Sequence, residues 1–401
     1  MNVCMLLRGQ FPPDPRVRKE ARALLEAGHE VRLLCHGDDS EQVHIDGIEV
    51  HRIGETLPLK DATDVADAAT YLMTNIHPDW RRALSELLAA HSVDVVHVHD
   101  LPLFQTAAHA VADHPVILDL HENYPVAVAQ WYADESLSDL LVSPRKAAKR
   151  LAFPQWRYRR IQRDALARAT HVFAVVEEAR TAYIKQGSDP TTTTVVSNTV
   201  DVAWFDERSV TVDVMIKNTP TLTYVGTLSG PHRGIDLLIR ALPSICRAVP
   251  DTVLRIVGDG NRRAFLAELA ADLGVSNAVE FVGWVEPKTI PAHVAAADVG
   301  VVPHRSNEHT ETTVPHKLFH YMAGSIPSLV TDVAPLERIV TETDSGRVAA
   351  PTPESLATHA TALLEDNHTA AQLGANGRDA VETSYGWQQD ATRLISVYES
   401  L

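Results

Sequence analysis

The stretch ADVGVVPHRSNEHTETTVPHKLFHYMAGSIPSLVTD, residues 297–332, decides the fold class of this 401-residue chain. It predicts a buried strand at residues 299–303, a polar loop, a helix opened by Pro315, and a second strand at residues 328–330. Such a unit points the helix N-terminus, with its unpaired N–H groups, at the carboxyl edge of a parallel sheet. The sequence therefore predicts an anion site at this edge.

Lys317 falls in the first turn of that helix, where the helix dipole disfavours a cation. Its place beside a threonine-rich loop suggests that a phosphate supplies the missing negative charge. An ordinary βαβ connection with a solvated lysine explains the same residues equally well. The stretch by itself leaves both interpretations open.

Strands alternate with helical patterns along the chain, which predicts parallel pairing through helical crossovers. The predicted strands of the first half are residues 2–7, 31–35, 93–98 and 116–120, and its helices are residues 16–27, 80–90 and 104–112. The same order restarts at residues 221–225 and continues through residues 253–257, 279–282, 299–302 and 328–330. We therefore expect two doubly wound α/β domains, residues 1–205 and 220–385, with a linker at residues 206–219. A helical stripe in residues 386–401 is expected to pack back towards the first domain.

Composition excludes several classes of function. The formal net charge of −16, from 52 acidic and 36 basic residues, argues against nucleic acid as a partner. No apolar run approaches the roughly 18 residues that span a bilayer, and the first apolar run is a predicted strand rather than a signal peptide. We expect a cytoplasmic protein. The three scattered cysteines predict no disulfide framework, and the twenty histidines form no helical pair beside a carboxylate, so neither a metal nor a cofactor is predicted.

One segment, residues 145–168, breaks the acidic trend with nine basic residues against a single acid. Interleaved aromatic residues favour a membrane-surface contact on the inner face of the cell membrane, or a groove for anionic acceptors. A solvated helix pair is an equal alternative. RNA binding is the weakest, because no RNA-binding module surrounds the segment.

Three successive predicted strands of the second half end in glycine, at Gly226, Gly258 and Gly283. Glycine permits tight turns and lets a ligand lie against the main chain, at the edge where doubly wound sheets bind ligands. Arg233 follows the first of these turns at the start of a helix, where its guanidinium forms a fork for phosphate oxygens.

Nine motifs occur in a characteristic order and spacing along essentially the whole chain. They are FPPDPRVRKEARALLEAGHEV, VDVVHVHD, DLHENYP, VVSNTVD, YVGTLSGPHRGIDLLI, LRIVGDGNRRAF, VEFVGWV, ADVGVVP and PHKLFHYMAGSIPSLVTD. In this order and spacing the chain resembles the retaining glycosyltransferases of family 4, which have the GT-B fold of two facing Rossmann-like domains. The resemblance implies that the carboxyl-terminal domain binds a nucleoside diphosphate sugar and that the amino-terminal domain presents the acceptor.

The resemblance also implies roles for single residues. Arg233 and Lys317 are expected on the donor diphosphate, and His121 on the transferred sugar; these three form the expected catalytic set. The other residues expected on the donor side are Gly9, Gly226, Thr227, Gly258, Asp259, Trp284, Val285, Glu311, Thr312, Thr313, Val314, His316 and His320. Those expected on the acceptor or membrane side are Arg16, Glu122, Trp156, Arg157, Arg159 and Arg160. A loop histidine held by Asp119 or Glu122 is the plainer interpretation of His121.

The chain departs from the family pattern at three positions. Thr312 and His320 stand where the family has its paired glutamates, and Thr227 stands where it has an arginine. A histidine can accept a hydrogen bond from the nucleotide ribose but offers less charge than a glutamate. These departures leave the donor base, the sugar and the level of activity open.

The implied reaction is transfer with retention, in which the leaving phosphate deprotonates a hydroxyl of a glycan, lipid-linked or protein acceptor. Glu122 is the nearest alternative base. Two other functions fit the same architecture. One is a sugar-nucleotide epimerase, and the other is a non-catalytic nucleotide-sugar-binding partner of an active transferase.

Overall fold

A computed structural model describes residues 1–12, 14–54, 62–111, 114–131, 154–209 and 219–401. The chain forms two compact units, one made of residues 1–196 with 391–401 and the other of residues 197–390. The expected linker, residues 206–219, lies for the most part outside the described residues, as do residues 145–153 of the basic segment.

The first unit contains an eight-stranded sheet in the order β3-β4-β2-β1-β5-β6-β7-β8. Every neighbouring pair is parallel except β3 and β4. Its strands are β1 Asn2–Gln10, β2 Glu30–His36, β3 Glu41–Ile45, β4 Ile48–Ile53, β5 Val95–His99, β6 Val116–Leu120, β7 His171–Ala174 and β8 Thr193–Val195. The central strands β5 and β6 are buried at every residue, as expected of parallel strands covered on both faces.

The helices of the first unit follow the predicted alternation. They are Pro15–Glu26, Ala62–Thr74, Pro78–Ala90, Phe104–Ala110, Tyr124–Trp131, Gln155–Arg168 and Glu177–Lys185. The first helix begins where the sequence places both start signals, since the Asp14 side chain accepts hydrogen bonds from the N–H groups of Arg16 and Val17, and Pro15 is its first residue. The last helix of the chain is Trp387–Glu399, and its residues from Ala391 onward belong to the first unit.

The sequence interpretation missed the antiparallel pair β3 and β4. The turn between them is Asp46–Gly47, and both residues have positive φ, 53° and 83°. Asp-Gly between two alternating apolar runs is a strong local signal for a two-residue hairpin turn, so the sequence did carry the information. Gly9 is a second correction, because it lies within β1 and not in a loop. The strand continues to Gln10 through an irregularity between Leu7 and Gln10.

The second unit contains a six-stranded, fully parallel sheet in the order β11-β10-β9-β12-β13-β14. Its strands are β9 Thr221–Val225, β10 Val253–Val257, β11 Val279–Gly283, β12 Val299–Val302, β13 Ser328–Thr331 and β14 Gly346–Ala349. Its helices are Val202–Ser209, Ile235–Ala248, Arg263–Asp272, Ile290–Ala295, His316–Ala323, Ala334–Thr343, Pro353–Glu365 and Asn367–Thr383. The five strands predicted for this half are all present; β9 and β10 have the predicted bounds, and the other three agree to within one residue.

Each sheet reverses its winding direction once, which defines the edge where a ligand can bind. In the second unit the chain moves from β9 to β10 on one side and returns to β12 on the other, so the loops after β9 and β12 meet at this switch point. In the first unit the corresponding neighbours are β1 and β5. Both sheets are therefore doubly wound, as the sequence predicts.

Candidate functional site

Glycine turns bring the loops of the second unit together at its switch point. Gly226, directly after β9, and Gly258, directly after β10, have φ of 138° and 143°, values that side-chain-bearing residues rarely adopt. A Cβ atom on Gly258 would lie 2.0 Å from the carbonyl oxygen of Gly226, and one on Gly226 would lie 2.9 Å from Nζ of Lys317. The absence of a side chain at Gly258 therefore lets the two turns pack together, and its absence at Gly226 makes room for the lysine.

Lys317 is a buried cation that lacks an anionic partner among the described residues. Its side chain is 6% exposed, and Nζ has no hydrogen-bond partner within the described part of the chain. Nζ lies 3.6 Å from the centre of the Tyr224 ring. Burial, with a smaller contribution from the positive charge of Arg233, lowers the pKa of Lys317 well below its ordinary value. A bound anion would remove this unfavourable environment.

Arg233 completes the cationic edge. It ends the short 3₁₀ turn Pro231–Arg233, and its Nε donates a hydrogen bond to the Ser229 carbonyl at 2.9 Å. The following residue, Gly234, has φ of 66°, and a Cβ atom there would lie 1.7 Å from the Pro303 carbonyl oxygen. The turn that carries Arg233 is thereby packed directly against the end of β12.

The loop before the lysine helix is held by its own side chains. Oγ1 of Thr312 donates to the Glu308 carbonyl at 2.9 Å, and Oε2 of Glu311 accepts the N–H of Ala334 at 3.0 Å. Glu311 thus supports the start of the helix Ala334–Thr343, and the Thr312 hydroxyl is used within its own turn. The expected donor roles of both side chains therefore compete with structural contacts in this loop.

The loop ends at the N-terminus of the helix His316–Ala323, as predicted. Pro315 is the cap residue and provides no side-chain hydrogen bond to the first turn. The carbonyl of buried Val314 accepts a hydrogen bond from Nδ2 of Asn198 at 3.1 Å, which fixes the approach to the helix next to half-buried Thr313 and His316.

The remaining predicted donor residues have varied surroundings. Thr227 is exposed, and Asp259 forms an ion pair with Arg263 at 3.2 Å. Directly after β11, the Trp284 ring is 72% exposed and Val285 is half-buried, so the ring is available for stacking. His320 is half-buried, and its ring centre lies 5.9 Å from that of Phe205.

His121 lies at the carboxyl end of β6 in the first unit, where two carboxylates hold it. Nε2 is 2.8 Å from Oδ2 of Asp119, and Nδ1 is 3.6 Å from Oδ2 of Asp100. Asp100 also accepts the His121 N–H at 3.0 Å. Burial by itself would lower the pKa of His121, but the charges of Asp100 and Asp119 outweigh it and raise the pKa to about 10. The imidazole is therefore protonated at neutral pH.

Asp119 connects His121 to a buried ion-pair network. Nη2 and Nε of Arg16 contact its two carboxylate oxygens at 2.6 and 2.9 Å, and Nε also lies 3.0 Å from Glu20. All three side chains are nearly or fully buried. Arg16 was expected on the acceptor side, but its guanidinium is occupied inside the unit. Glu20, His97, His99 and Asp119 place four ligand-type atoms within 4.8 Å of one another, and Arg16 already lies against both acids of this cluster.

The residues expected on the acceptor or membrane side lie on other elements of the first unit. Glu122 follows His121 and is half-buried. On the helix Gln155–Arg168, Trp156 is 67% exposed, and Nη2 of half-buried Arg157 donates to the Tyr71 carbonyl at 3.2 Å. Arg159 and Arg160 are exposed on the same helix. Among the described residues no helix is long and apolar enough to cross a membrane.

The sequence interpretation missed Asp100, Asn198 and Tyr224. Asp100 follows β5, the parallel neighbour of β6, so strand order would have placed it beside His121. Asn198 lies in a motif that carried the family resemblance, but its partner is 116 residues away. Nothing local to Tyr224 indicates that a lysine will lie over its ring.

Comparison with known families agrees with this architecture. Residues 13–199 match the family described as "Glycosyl transferase 4-like domain", and residues 212–380 match "Glycosyl transferases group 1". Among solved structures, sucrose-phosphate synthase from Thermosynechococcus elongatus superposes with a TM-score of 0.78 at 18% identity, covering 100% of this chain and 98% of that one. HepE from Anabaena in complex with UDP-glucose superposes with a TM-score of 0.72, also at 18% identity, covering 100% of both chains.

Curated relatives point the same way. The phosphatidyl-myo-inositol mannosyltransferase of Mycolicibacterium smegmatis is 25% identical over 386 residues, which is 95% of this chain and 88% of the relative. The GDP-mannose-dependent alpha-(1-6)-phosphatidylinositol monomannoside mannosyltransferase of the same organism is 32% identical over 170 residues, 42% and 44% of the two chains. The fold and these matches define a glycosyltransferase with the GT-B fold. Within that class, the chain belongs to the family 4 type of glycosyltransferases, as its motifs predict.

Proposed function

We propose that this glycosyltransferase moves a sugar from a nucleoside diphosphate sugar to a hydroxyl group of an acceptor, with retention of anomeric configuration, in the assembly of a cell-surface glycan, glycolipid or glycoprotein. The observation that carries the proposal is the buried Lys317 ammonium, which has no anionic partner among the described residues and lies at a glycine-rich switch point. A donor diphosphate would supply the negative charge that the protein itself does not.

The charges of the second unit suit the departure of a nucleoside diphosphate. Negative charge grows on the phosphate as the bond to the sugar breaks, and prearranged positive charge lowers the barrier. In this proposal Lys317 and Arg233 supply that charge, so no metal ion is required and activity should persist in a chelator such as EDTA. Trp284 offers an exposed face for the nucleobase.

The first unit contributes His121 as a cation and not as a base. An imidazolium held by Asp100 and Asp119 can donate hydrogen bonds but cannot accept a proton. We infer that His121 acts on the transferred sugar through its charge and through the N–H group on Nδ1, since Nε2 is engaged by Asp119. The acceptor hydroxyl would then lose its proton to the leaving phosphate, with Glu122 as the alternative base.

The names of the relatives suggest which substrates to test first. Two mannosyltransferases named for phosphatidylinositol acceptors, one of them GDP-mannose-dependent, are among the relatives, and one structural neighbour was solved with UDP-glucose. We propose GDP-mannose and a lipid-linked acceptor as the first pair. A lipid acceptor would place the protein at the cytoplasmic face of the cell membrane, with the helix Gln155–Arg168 against anionic headgroups.

A thermal-shift measurement with GDP, UDP and ADP tests the diphosphate site. A ligand at one hundred times its Kd stabilises the folded unit by roughly 2.7 kcal/mol, which is readily measured. The Arg233→Ala variant should lose most of that shift. A shift of full size in the variant would remove Arg233 from the diphosphate site.

A turnover assay separates the transferase from its alternatives. Incubation of GDP-mannose or UDP-glucose with lipid acceptors should release nucleoside diphosphate only when an acceptor is present, and NMR of the product should show the anomeric configuration of the donor. Epimerised donor without acceptor would indicate an epimerase. Binding without turnover would indicate a non-catalytic partner, an outcome that the replacement of both family glutamates by Thr312 and His320 makes worth testing.

A further inference from the structure

Two histidines lie beside Arg233 and Lys317 in segments that pack directly on each other. His232 precedes Arg233 in its turn, and His304 follows β12. The N–H of Arg305 donates to the His232 carbonyl at 2.7 Å. Together with the close approach of Pro303 to Gly234, this contact holds the end of β12 against the arginine turn.

The buried ring of His304 has a nitrogen atom that is available to bind a ligand. Its side chain is 5% exposed, and Nε2 is buried without a hydrogen-bond partner among the described residues. Nζ of Lys317 has the same property in the same cluster. A buried polar atom without a partner is unfavourable, so two of them together indicate that a molecule with several acceptor atoms binds there.

A third histidine, His309, extends the cluster. Its ring meets that of His232 edge to face, with centres 5.7 Å apart. The positive charge of Arg262, which precedes the helix Arg263–Asp272, also acts on His232.

The acids near this cluster are engaged elsewhere. Asp236 pairs with Arg305 through two contacts at 2.7 and 2.8 Å. Glu311 accepts hydrogen bonds from Ser306 and from the N–H of Ala334, and Glu308 is exposed on the loop. The phenol of Tyr224, the other titratable group from β9, donates to the Thr227 carbonyl at 3.1 Å.

Burial and these positive charges keep the imidazoles neutral. Burial comes first for each of them, followed by the charge of Arg233 for His232 and His309 and the charge of Lys317 for His304. The pKa is lowered to about 4 for His232 and His309 and well below its ordinary value for His304. A bound anion would oppose these positive charges and raise the pKa of each imidazole.

We propose that His304 and His232 bind the donor diphosphate together with Arg233 and Lys317, and that they take up protons when it binds. This inference rests on the proposed function, because it needs a diphosphate in this site. A neutral imidazole can donate only one hydrogen bond, whereas the imidazolium donates two and carries a charge opposite to that of the ligand. Donor binding should therefore be coupled to pH in this chain.

Calorimetric titration with UDP-glucose and with GDP-mannose tests the coupling. In both probes each phosphate has one ester bond, one anhydride bond and a single strongly acidic hydroxyl, so the ligand itself does not titrate near neutral pH. The titrations are run in buffers of different ionisation enthalpy, at about pH 6 and about pH 7.5, the range in which histidine responds. We expect net proton uptake, and for one proton taken up the affinity should rise about tenfold for each unit by which the pH falls.

Histidine variants identify the groups that take up the proton. His304→Gln and His232→Gln should each reduce the uptake and weaken binding most strongly at the lower pH. His368→Gln, which replaces an exposed histidine on the helix Asn367–Thr383, is the matched control and should bind as the parent does. NMR of labelled histidine rings in the parent protein gives a second readout that does not depend on any variant folding, since the His304 ring should shift towards imidazolium when a probe is added.

The outcomes separate this inference from the proposed function. Binding without proton uptake in the parent would overturn the histidine assignment and leave the diphosphate site standing. Undiminished uptake in both histidine variants would assign the proton to another group, with Lys317 the first to examine, and would also overturn it. Failure of both probes to bind would count against the diphosphate site and against this inference together.

Discussion

Replacement of Lys317 by methionine should change stability and ligand binding in opposite directions. Methionine has a similar length and no charge, so it fills the space over the Tyr224 ring without the desolvation that lowers the pKa of the lysine. Relief of a buried, unpaired cation should stabilise the ligand-free unit by about 1–2 kcal/mol. For a unit of about 200 residues this corresponds to a rise in Tm of about 2–8 °C.

Donor binding should fall in the same variant. A hydrogen bond to a charged group contributes about 1.5–3 kcal/mol, so Lys317→Met should weaken nucleoside diphosphate binding roughly ten- to hundredfold. Differential scanning fluorimetry with and without GDP or UDP measures both effects in one experiment. We expect the ligand-free Tm to rise and the ligand-induced shift to shrink.

The dependence of stability on pH gives a second check on the lysine. Because the pKa of Lys317 is lowered in the folded state, the folded unit loses this proton at a lower pH than the unfolded chain does, and between the two pKa values stability rises with pH, up to about 10.4, the ordinary lysine value. Lys317→Met should remove this contribution to the slope. The exposed Lys185→Met variant is the control. It should change neither the free energy of unfolding nor that of diphosphate binding by more than about 0.5 kcal/mol. A variant that is less stable than the parent without ligand, or that binds diphosphate equally well, would refute the reasoning.

Three further predictions concern the turns and rings of the two units. Gly234→Ala should destabilise its unit by at least about 2 kcal/mol, measured by denaturant unfolding, because the new methyl group would overlap the Pro303 carbonyl at a positive φ. Trp284→Ala should weaken nucleotide binding by about 1–3 kcal/mol, measured by calorimetry, if the ring stacks on the base. The pKa of His121, measured by NMR, should be about 10 and should fall in Asp119→Asn. Because the folded pKa lies above the unfolded value of about 6.5, protonated His121 stabilises the fold fully below about pH 6.5, and this stabilisation is lost as the pH rises through about 10.

Matched controls make these predictions decisive. Gly274 has nearly the same φ as Gly234, 68° against 66°, with no atom within 4 Å of a Cβ position, so Gly274→Ala should cost only about 1 kcal/mol. Equal losses at the two glycines would contradict the packing argument. Trp156→Ala removes a similarly exposed ring from the first unit and should leave nucleotide binding unchanged. A parent His121 that titrates near its ordinary value would contradict the carboxylate argument.

The sequence determined the parts of this protein that depend on local pattern. Parallel strands that are covered on both faces are largely apolar, so β6, β9 and β10 appear in the sequence with the bounds that the structure gives them, and β12 with its bounds to within one residue. The ligand edge of the second sheet could likewise be predicted from the glycine after each of three successive strands and from Pro315 before Lys317. Chain direction fixes the edge at which parallel strands end. The hairpin at Asp46–Gly47 could also have been predicted from the local sequence.

The charge states and partners of the site residues were decided only by the tertiary structure. Arg16 is a helical surface cation by local pattern, yet it binds Asp119, which is 103 residues away. Lys317 would be an ordinary ammonium if it were solvated, but the atoms that desolvate it come from β9 and its turn. Burial and neighbouring charge set a pKa, and both come from residues distant in sequence. For this reason the sequence could name His121 and Lys317 but could not tell that one of them is protonated by its carboxylates and that the other lies buried without an anion among the described residues.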